Sequence, residues 1–267
     1  MSVYLHAALG LLPLGTRPSS LPDRTLTRTG VVVDRDHLAR YDRVCGFRLG
    51  DALPPAYPHV LAFDLAMGLM TDRAFPFPVV GLLHVTNRIE VLRPLTADDR
   101  LDLTVRAAGL REHPRGRQFD IETTVTVDGE AAWRSRATYL RRERSSGTPR
   151  TDRPGLPPPS ARWRLTPAIG PEYAAVSGDH NPIHTSWLGA RAFGFPAPIT
   201  HGMWTLARCL SALEGRLPAT GTIEAEFRRP VPLSATVAFA TDLHTFAVTD
   251  PHTGKPFLVG TVQASSQ

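Results

Sequence analysis

Apolar residues follow two different periods along this chain. After Asp34, the residues Leu38, Tyr41 and Val44 share one helical face, with Asp34 placed to cap the helix they imply. The run VLAFDLAMGLM (Val60 to Met70) is almost wholly apolar, the pattern of a helix buried on most sides. The period then becomes two: Leu101, Leu103 and Val105 alternate with Asp102, Thr104 and Arg106, and DIETTVTV from Asp120 reads as a further strand. The same order returns later, with the apolar helix MWTLARCLSAL (Met203 to Leu213), stopped by Gly215, and strand-like IEAEF and ATVAFAT. The pattern predicts an α+β chain in two halves, each with one buried helix and a mostly antiparallel sheet.

A direct comparison of the halves supports an internal repeat. YDRVCG (Tyr41 to Gly46) matches YAAVSG (Tyr173 to Gly178) with Tyr, Val and Gly each displaced by 132 positions, and RPLTADD at Arg93 answers RPVPLSA at Arg229 with a displacement of 136. Between them lies a stretch rich in Pro, Ser, Gly and Arg, residues 141 to 163, without apolar periodicity. The expected organisation is a leader over 1–28, a first domain over 29–143, a linker over 144–163 and a second domain over 164–267.

Composition narrows the function without choosing it. A chain of 267 residues, 42% hydrophobic, can bury a real core, so disorder is not expected. The net charge of +5 comes from intermixed charges with no long basic block, which argues against nucleic acid and leaves an anionic small molecule or carrier open. Cys45 and Cys209 lie far apart with no CxxC or Cys/His cluster, so neither a disulfide framework nor a metal site is expected, and a cytoplasmic location fits. The apolar N-terminal VYLHAALGLLPLG lacks a basic flank, is interrupted by Pro13 and is too short to span a membrane.

The chemistry concentrates in SGDHNPIH, Ser177 to His184. On an unbroken helix Asp179 and His184 would be about 140° apart. Asn181 before Pro182 instead predicts a helix start, with Asn as cap and Pro at the first position, so that Asp179 on the entering loop and His184 in the first turn converge on one volume. The alternative is an ordinary polar turn with a partly buried histidine. Against it, the matching stretch CGFRLGDALPP keeps the glycine and has no Asp or His at the corresponding positions. A turn needed only for the scaffold would have served in both halves.

The pattern Y-x-x-V-S-G-D-x-N-P-x-H from Tyr173, followed by FGFPAPITHGM (Phe193 to Met203), resembles the signature of the MaoC-like (R)-specific enoyl-CoA hydratases, or (3R)-hydroxyacyl-thioester dehydratases. The two-copy layout is similar to the double-hotdog members of actinobacterial type, whose first copy has lost its catalytic residues. The resemblance implies a tandem hotdog, each half an antiparallel sheet wrapped around a central helix, the halves pairing as an intrachain pseudo-dimer that leaves room for a homodimer. It implies an enzyme without cofactor, a hydro-lyase of fatty-acid metabolism acting on acyl-CoA or acyl-carrier-protein thioesters. Asp179 and His184 would activate a water and the Gly202 N–H would receive the thioester oxygen, with Asn181, Ser177, Gly178 and His201 in support.

Other residues carry weaker expectations. Arg228 and Arg229 would meet the phosphates of the carrier arm, or else decorate a solvated strand edge. His180 is incidental, and Met67, Met70 and Met203 belong to the core. The turn PLSA (Pro232 to Ala235) departs from the Pro-Gly-Asp common in the family, and Pro171 would restrict the helix it enters if that helix began at Thr166. A hotdog thioesterase and a non-catalytic acyl-binding module are the alternatives, because one fold serves several chemistries.

Overall fold

Asp34 caps α1 (Arg35–Cys45) as its position predicts, its carboxylate accepting from the N–H groups of Asp36 and His37, and Gly46 ends the helix in the left-handed region at φ 84°. Gly178, its counterpart in the repeat, ends α4 (Ile169–Ser177) the same way at φ 75°. Pro171 is the third residue of α4, where no intrahelical N–H bond is required. These facts come from a computed structural model that describes residues 17–143 and 155–265. The remainder of the expected leader and linker, 1–16 and 144–154, lies outside the described residues.

The first half contains β1 (Thr25–Val32), α1, α2 (Tyr57–Leu61), α3 (Phe63–Met70), β2 (Leu82–Val91), β3 (Arg100–His113), β4 (Gly116–Val127) and β5 (Glu130–Arg142). The second contains β6 (Pro159–Arg164), α4, α5 (Pro182–Thr185), α6 (Trp187–Ala192), α7 (Gly202–Ala212), β7 (Gly221–Phe227), β8 (Thr236–Thr241), β9 (Thr245–Thr249) and β10 (Pro256–Ala264). All strands join one ten-stranded sheet in the order β1-β3-β4-β5-β2-β7-β10-β9-β8-β6. Each half supplies five consecutive strands in equivalent order, and the halves meet where β2 runs antiparallel to β7. Arg88 stands opposite Glu224 at the centre of that seam and is ion-paired with it. This is the tandem hotdog, α+β, with helices against one face of a continuous sheet.

Two strands begin where the sequence reads as connection. β1 starts at Thr25, inside the stretch read as leader, and β6 starts at Pro159, inside the stretch read as linker. Both lie at sheet edges, each paired on one side only. An edge strand half open to solvent needs no apolar alternation, and Pro is tolerated there because its missing N–H costs no ladder bond.

The apolar run expected as one helix is broken at Ala62 into α2 and α3. Tyr57 and Val60 of α2 pack in the main core, whereas Met67, Leu69 and Met70 of α3 pack in a second cluster with Phe75, Phe77 and Phe119. The break lets each piece face its own cluster. In the second half α7 stays continuous, burying Met203, Trp204, Leu206 and Leu210. Full burial of a leucine contributes roughly 1.5–3 kcal/mol.

The halves are tied reciprocally. Trp204 Nε1 donates to the Val44 carbonyl at 2.8 Å. On the other side, His37 Nε2 donates to the carbonyl of Val176, the repeat counterpart of Val44, and its Nδ1 lies 2.8 Å from the Tyr57 hydroxyl. Because a carbonyl only accepts, His37 carries its proton on Nε2, and Nδ1 accepts from the tyrosine.

Candidate active site

The segment from Ser177 to His184 is organised around the Asp179 carboxylate. Ser177 Oγ accepts from the Asp179 N–H at 3.2 Å, and Asp179 Oδ1 accepts from the Asn181 N–H at 3.2 Å. Asn181 Oδ1 caps α5 by accepting from Ile183 N–H at 3.3 Å, with Pro182 as the first helical residue. One turn thus fixes the acid and launches the helix carrying the imidazole. His184 is buried, and its Nδ1 donates to the Ile199 carbonyl at 2.8 Å. That bond assigns the proton to Nδ1 and leaves Nε2 as a bare acceptor.

His201 is the cap residue of α7 and is 3% exposed, so it is no surface accessory. Its Nε2 donates to the Asp179 carbonyl at 2.9 Å and lies 4.0 Å from Asp179 Oδ2. Its ring stacks on that of His184, 3.8 Å between centroids. One ligand-type atom from each of Asp179, His184 and His201 lies within 4.8 Å of the others. These are groups that also bind divalent metals, and in His201 the nitrogen nearest the carboxylate, Nε2, is engaged by the Asp179 carbonyl. The spacing leaves room for a single water to bridge acid and base.

Burial holds both imidazoles neutral. It lowers the His184 pKa, opposed by the Asp179 charge and the Ile199 carbonyl, and lowers His201 to about 3, reinforced by the neighbouring His184. Gly202 opens α7, so its N–H lies in the first turn with no intrahelical acceptor and at the positive end of the helix dipole. A Cβ there would meet the Phe227 ring at 3.1 Å, which makes glycine the fitting residue.

Asp179, His184, His201 and Gly202 line a cavity of about 420 Å³. Much of its remaining wall comes from the first half: His59, Phe63, Met67, Met70, His84 and Tyr139. Met67 and Met70 thus serve as core and as cavity wall. Sequence reading missed His59, His84 and Tyr139, because only the pairing of the halves brings them to the site.

Arg228 and Arg229 also line the cavity, but both have structural work. Arg228 pairs with Glu226 at 2.7 Å. Arg229 Nε donates to the Pro256 carbonyl at 3.1 Å, and its guanidinium covers the Phe257 ring. The PLSA turn persists with Ser234 at φ 71°, a left-handed conformation that glycine would adopt without strain. His180 is exposed and lines no part of the cavity among the described residues.

A tandem hotdog with an acid, an imidazole and a free amide converging at the start of one central helix defines a hydratase or dehydratase class of site. The chain belongs to the MaoC-like dehydratases: residues 152–252 match the MaoC like domain. It is 43% identical over 237 residues to 3-hydroxyacyl-thioester dehydratase X of Mycobacterium tuberculosis, covering 87% of this chain and 85% of that protein. The peroxisomal enoyl-CoA hydratase 2 of Arabidopsis thaliana is 29% identical over 171 residues, 55% of each chain. The crystal structure of HtdX of Mycobacterium tuberculosis superposes with a TM-score of 0.81 at 37% identity, over 91% of this chain and all of that one. The 12:0-ACP thioesterase of Umbellularia californica shares the fold, with a TM-score of 0.56 at 11% identity over 91% of this chain and 98% of that one.

Proposed function

We propose that this MaoC-like dehydratase catalyses reversible hydration of trans-2-enoyl thioesters to (3R)-3-hydroxyacyl thioesters, at one site per chain in the second half. The observation that carries this reading is the convergence of Asp179, the bare Nε2 of neutral His184 and the Gly202 N–H on one cavity. Water held between Asp179 and His184 attacks C3 while His184 Nε2 takes its proton. Negative charge moves to the thioester oxygen, where the Gly202 N–H and the helix dipole receive it. The imidazolium returns the proton to C2, and the Asp179 carboxylate stabilises the transient cation. The Asn181 N–H holds the carboxylate, while the Ser177 hydroxyl and His201 Nε2 hold the Asp179 backbone by its N–H and its carbonyl.

The first half is a non-catalytic copy whose interior receives the acyl chain. The break at Ala62 and the lining by Phe63, Met67 and Met70 support that reading. The thioester is carried on coenzyme A or an acyl carrier protein, and the enzyme works in the cytoplasm. No helix among the described residues is long and apolar enough to cross a membrane.

The test is loss of enoyl absorbance when crotonyl-CoA is added, with the R configuration of the product determined by chiral analysis. Release of free thiol without hydration would overturn the assignment in favour of a thioesterase. A rate series over longer acyl chains tests the first-half tunnel, and activity confined to short chains would overturn it.

A further inference from the structure

Part of the cavity wall comes from the half without the acid–base pair, and that wall is not uniformly apolar. His59 lies on α2 among Val60, Phe63 and Met67, lines the cavity, and its ring makes no hydrogen bond among the described residues. Its ring lies 6.1 Å from that of His84 at an interplanar angle of 18°. His84 is in turn wedged between Tyr139 and Phe227, each 4.8 Å away. Phe227 is the ring on which Gly202 rests. An imidazole is therefore set in an apolar wall and backed by aromatic groups that reach the oxyanion position.

The fold does not require histidine there. Leu53 N–H bonds the Leu95 carbonyl and Thr200 N–H bonds the Val231 carbonyl, which aligns the turns that lead into the two central helices with a displacement of 147 residues, while the helices themselves open at Tyr57 and Gly202, 145 residues apart. The counterpart of His59 is Leu206 on the register of the turns and Trp204 on that of the helix starts, and both are buried apolar residues. A purely alkyl chain entering the cavity would strip water from His59 and leave its donor and acceptor unmet, a cost that leucine would avoid.

We propose that the acyl group of the natural substrate carries an oxygen function beyond the double bond, a hydroxyl or carbonyl, that hydrogen-bonds to His59. This rests on the hydratase reading and names the substrate class of that site. Burial lowers His59 to about 4 and His84 to about 3, so the wall offers neutral imidazoles, which suit a neutral oxygen and not a carboxylate.

The experiment compares kcat/KM for trans-2-enoyl-CoA substrates of matched length, unsubstituted or bearing a hydroxyl, keto or terminal carboxylate group at successive carbons, in wild type, His59→Leu and His59→Gln. At one placement the wild type should prefer the hydroxyl or keto chain over the plain chain by about tenfold or more. His59→Leu should lose that preference while gaining rate on the plain chain, and His59→Gln, which keeps a donor and an acceptor, should retain part of it. The proposal is overturned if no placement is preferred, if the carboxylate chain is favoured, or if His59→Leu changes all substrates by one factor. Failure of the wild type to hydrate any substrate, crotonyl-CoA included, would overturn the hydratase reading and this one with it. Turnover without an oxygen preference overturns only this one.

Discussion

Pro55 stands opposite Gly202 on the register set by the Leu53 and Thr200 backbone bonds, and α2 opens two residues later at Tyr57, whose N–H is already bonded to the Pro54 carbonyl at 2.8 Å. Proline has no N–H, so the donor proposed to receive the thioester oxygen at Gly202 has no counterpart at Pro55. The Pro55 carbonyl instead accepts from Trp133 Nε1 at 2.9 Å, and Pro54, Pro55 and Trp133 line a small apolar hollow with no carboxylate or imidazole among its described residues.

The same exchange made in the catalytic half isolates the value of that one donor. His201 has φ −64° and ψ 136°, which a following proline accepts, and the first helical position tolerates proline. Gly202→Pro is expected to lower kcat by about 10²–10³-fold, the usual loss of an oxyanion donor. Gly202→Ala keeps the N–H and adds the same Cβ against Phe227, so it should retain most of the rate. Equal losses in the two variants would assign the effect to the Phe227 contact alone.

Asp179→Asn and His184→Gln should each lower kcat by about 10²–10⁴-fold on crotonyl-CoA, with far-ultraviolet dichroism unchanged. The double variant should fall little further than either single one, because in the proposed mechanism both groups act on the same water. Losses that multiply would mean independent roles. Steady-state rates of the three purified variants decide between these outcomes.

Features set by neighbours in sequence were legible before the fold was seen. Asp34 and Asn181 are caps, and a cap is read from its residue and the next few positions. The Asp179 and His184 pair was legible for the same reason, since one turn holds both. His59 was not, because it is one histidine in an apolar helix until the second half folds against it. β1 and β6 were hidden by edge positions that demand no alternation. Arg229 looked free in sequence, and only the return of β10 beside it supplies the carbonyls that bind its guanidinium.

The pH profile follows from the direction of the His184 shift. Burial lowers its pKa below the ordinary histidine value of about 6.5, so the neutral base persists into mildly acidic solution. The acid limb of kcat/KM should therefore lie below pH 6.5, with rates falling as pH drops through it and no loss between pH 6.5 and 8. A limb above pH 6.5 would mean that the Asp179 charge outweighs burial. Initial rates from pH 4.5 to 8 in buffers of constant ionic strength distinguish the two.

Asp42 presents the opposite problem, a carboxylate where the fold offers little to hold it. It is 1% exposed and neither oxygen has a hydrogen-bond partner of good geometry, although the Gly50 amide eases the burden. Burial first, and then the Glu214 charge, raise its pKa to about 7. Its folded value thus exceeds its unfolded one, so its contribution to stability is fully present below about pH 4 and is lost as pH rises through about 7. Its repeat counterpart is Ala174, equally buried. Asp42→Ala should accordingly raise thermal stability more at pH 8, where the buried carboxylate is ionised, than at pH 4, where it is neutral. Thermal melts of both proteins across that range test the sign: a gain confined to low pH, or a loss at pH 8, would show that the ionised carboxylate is stabilised where it lies.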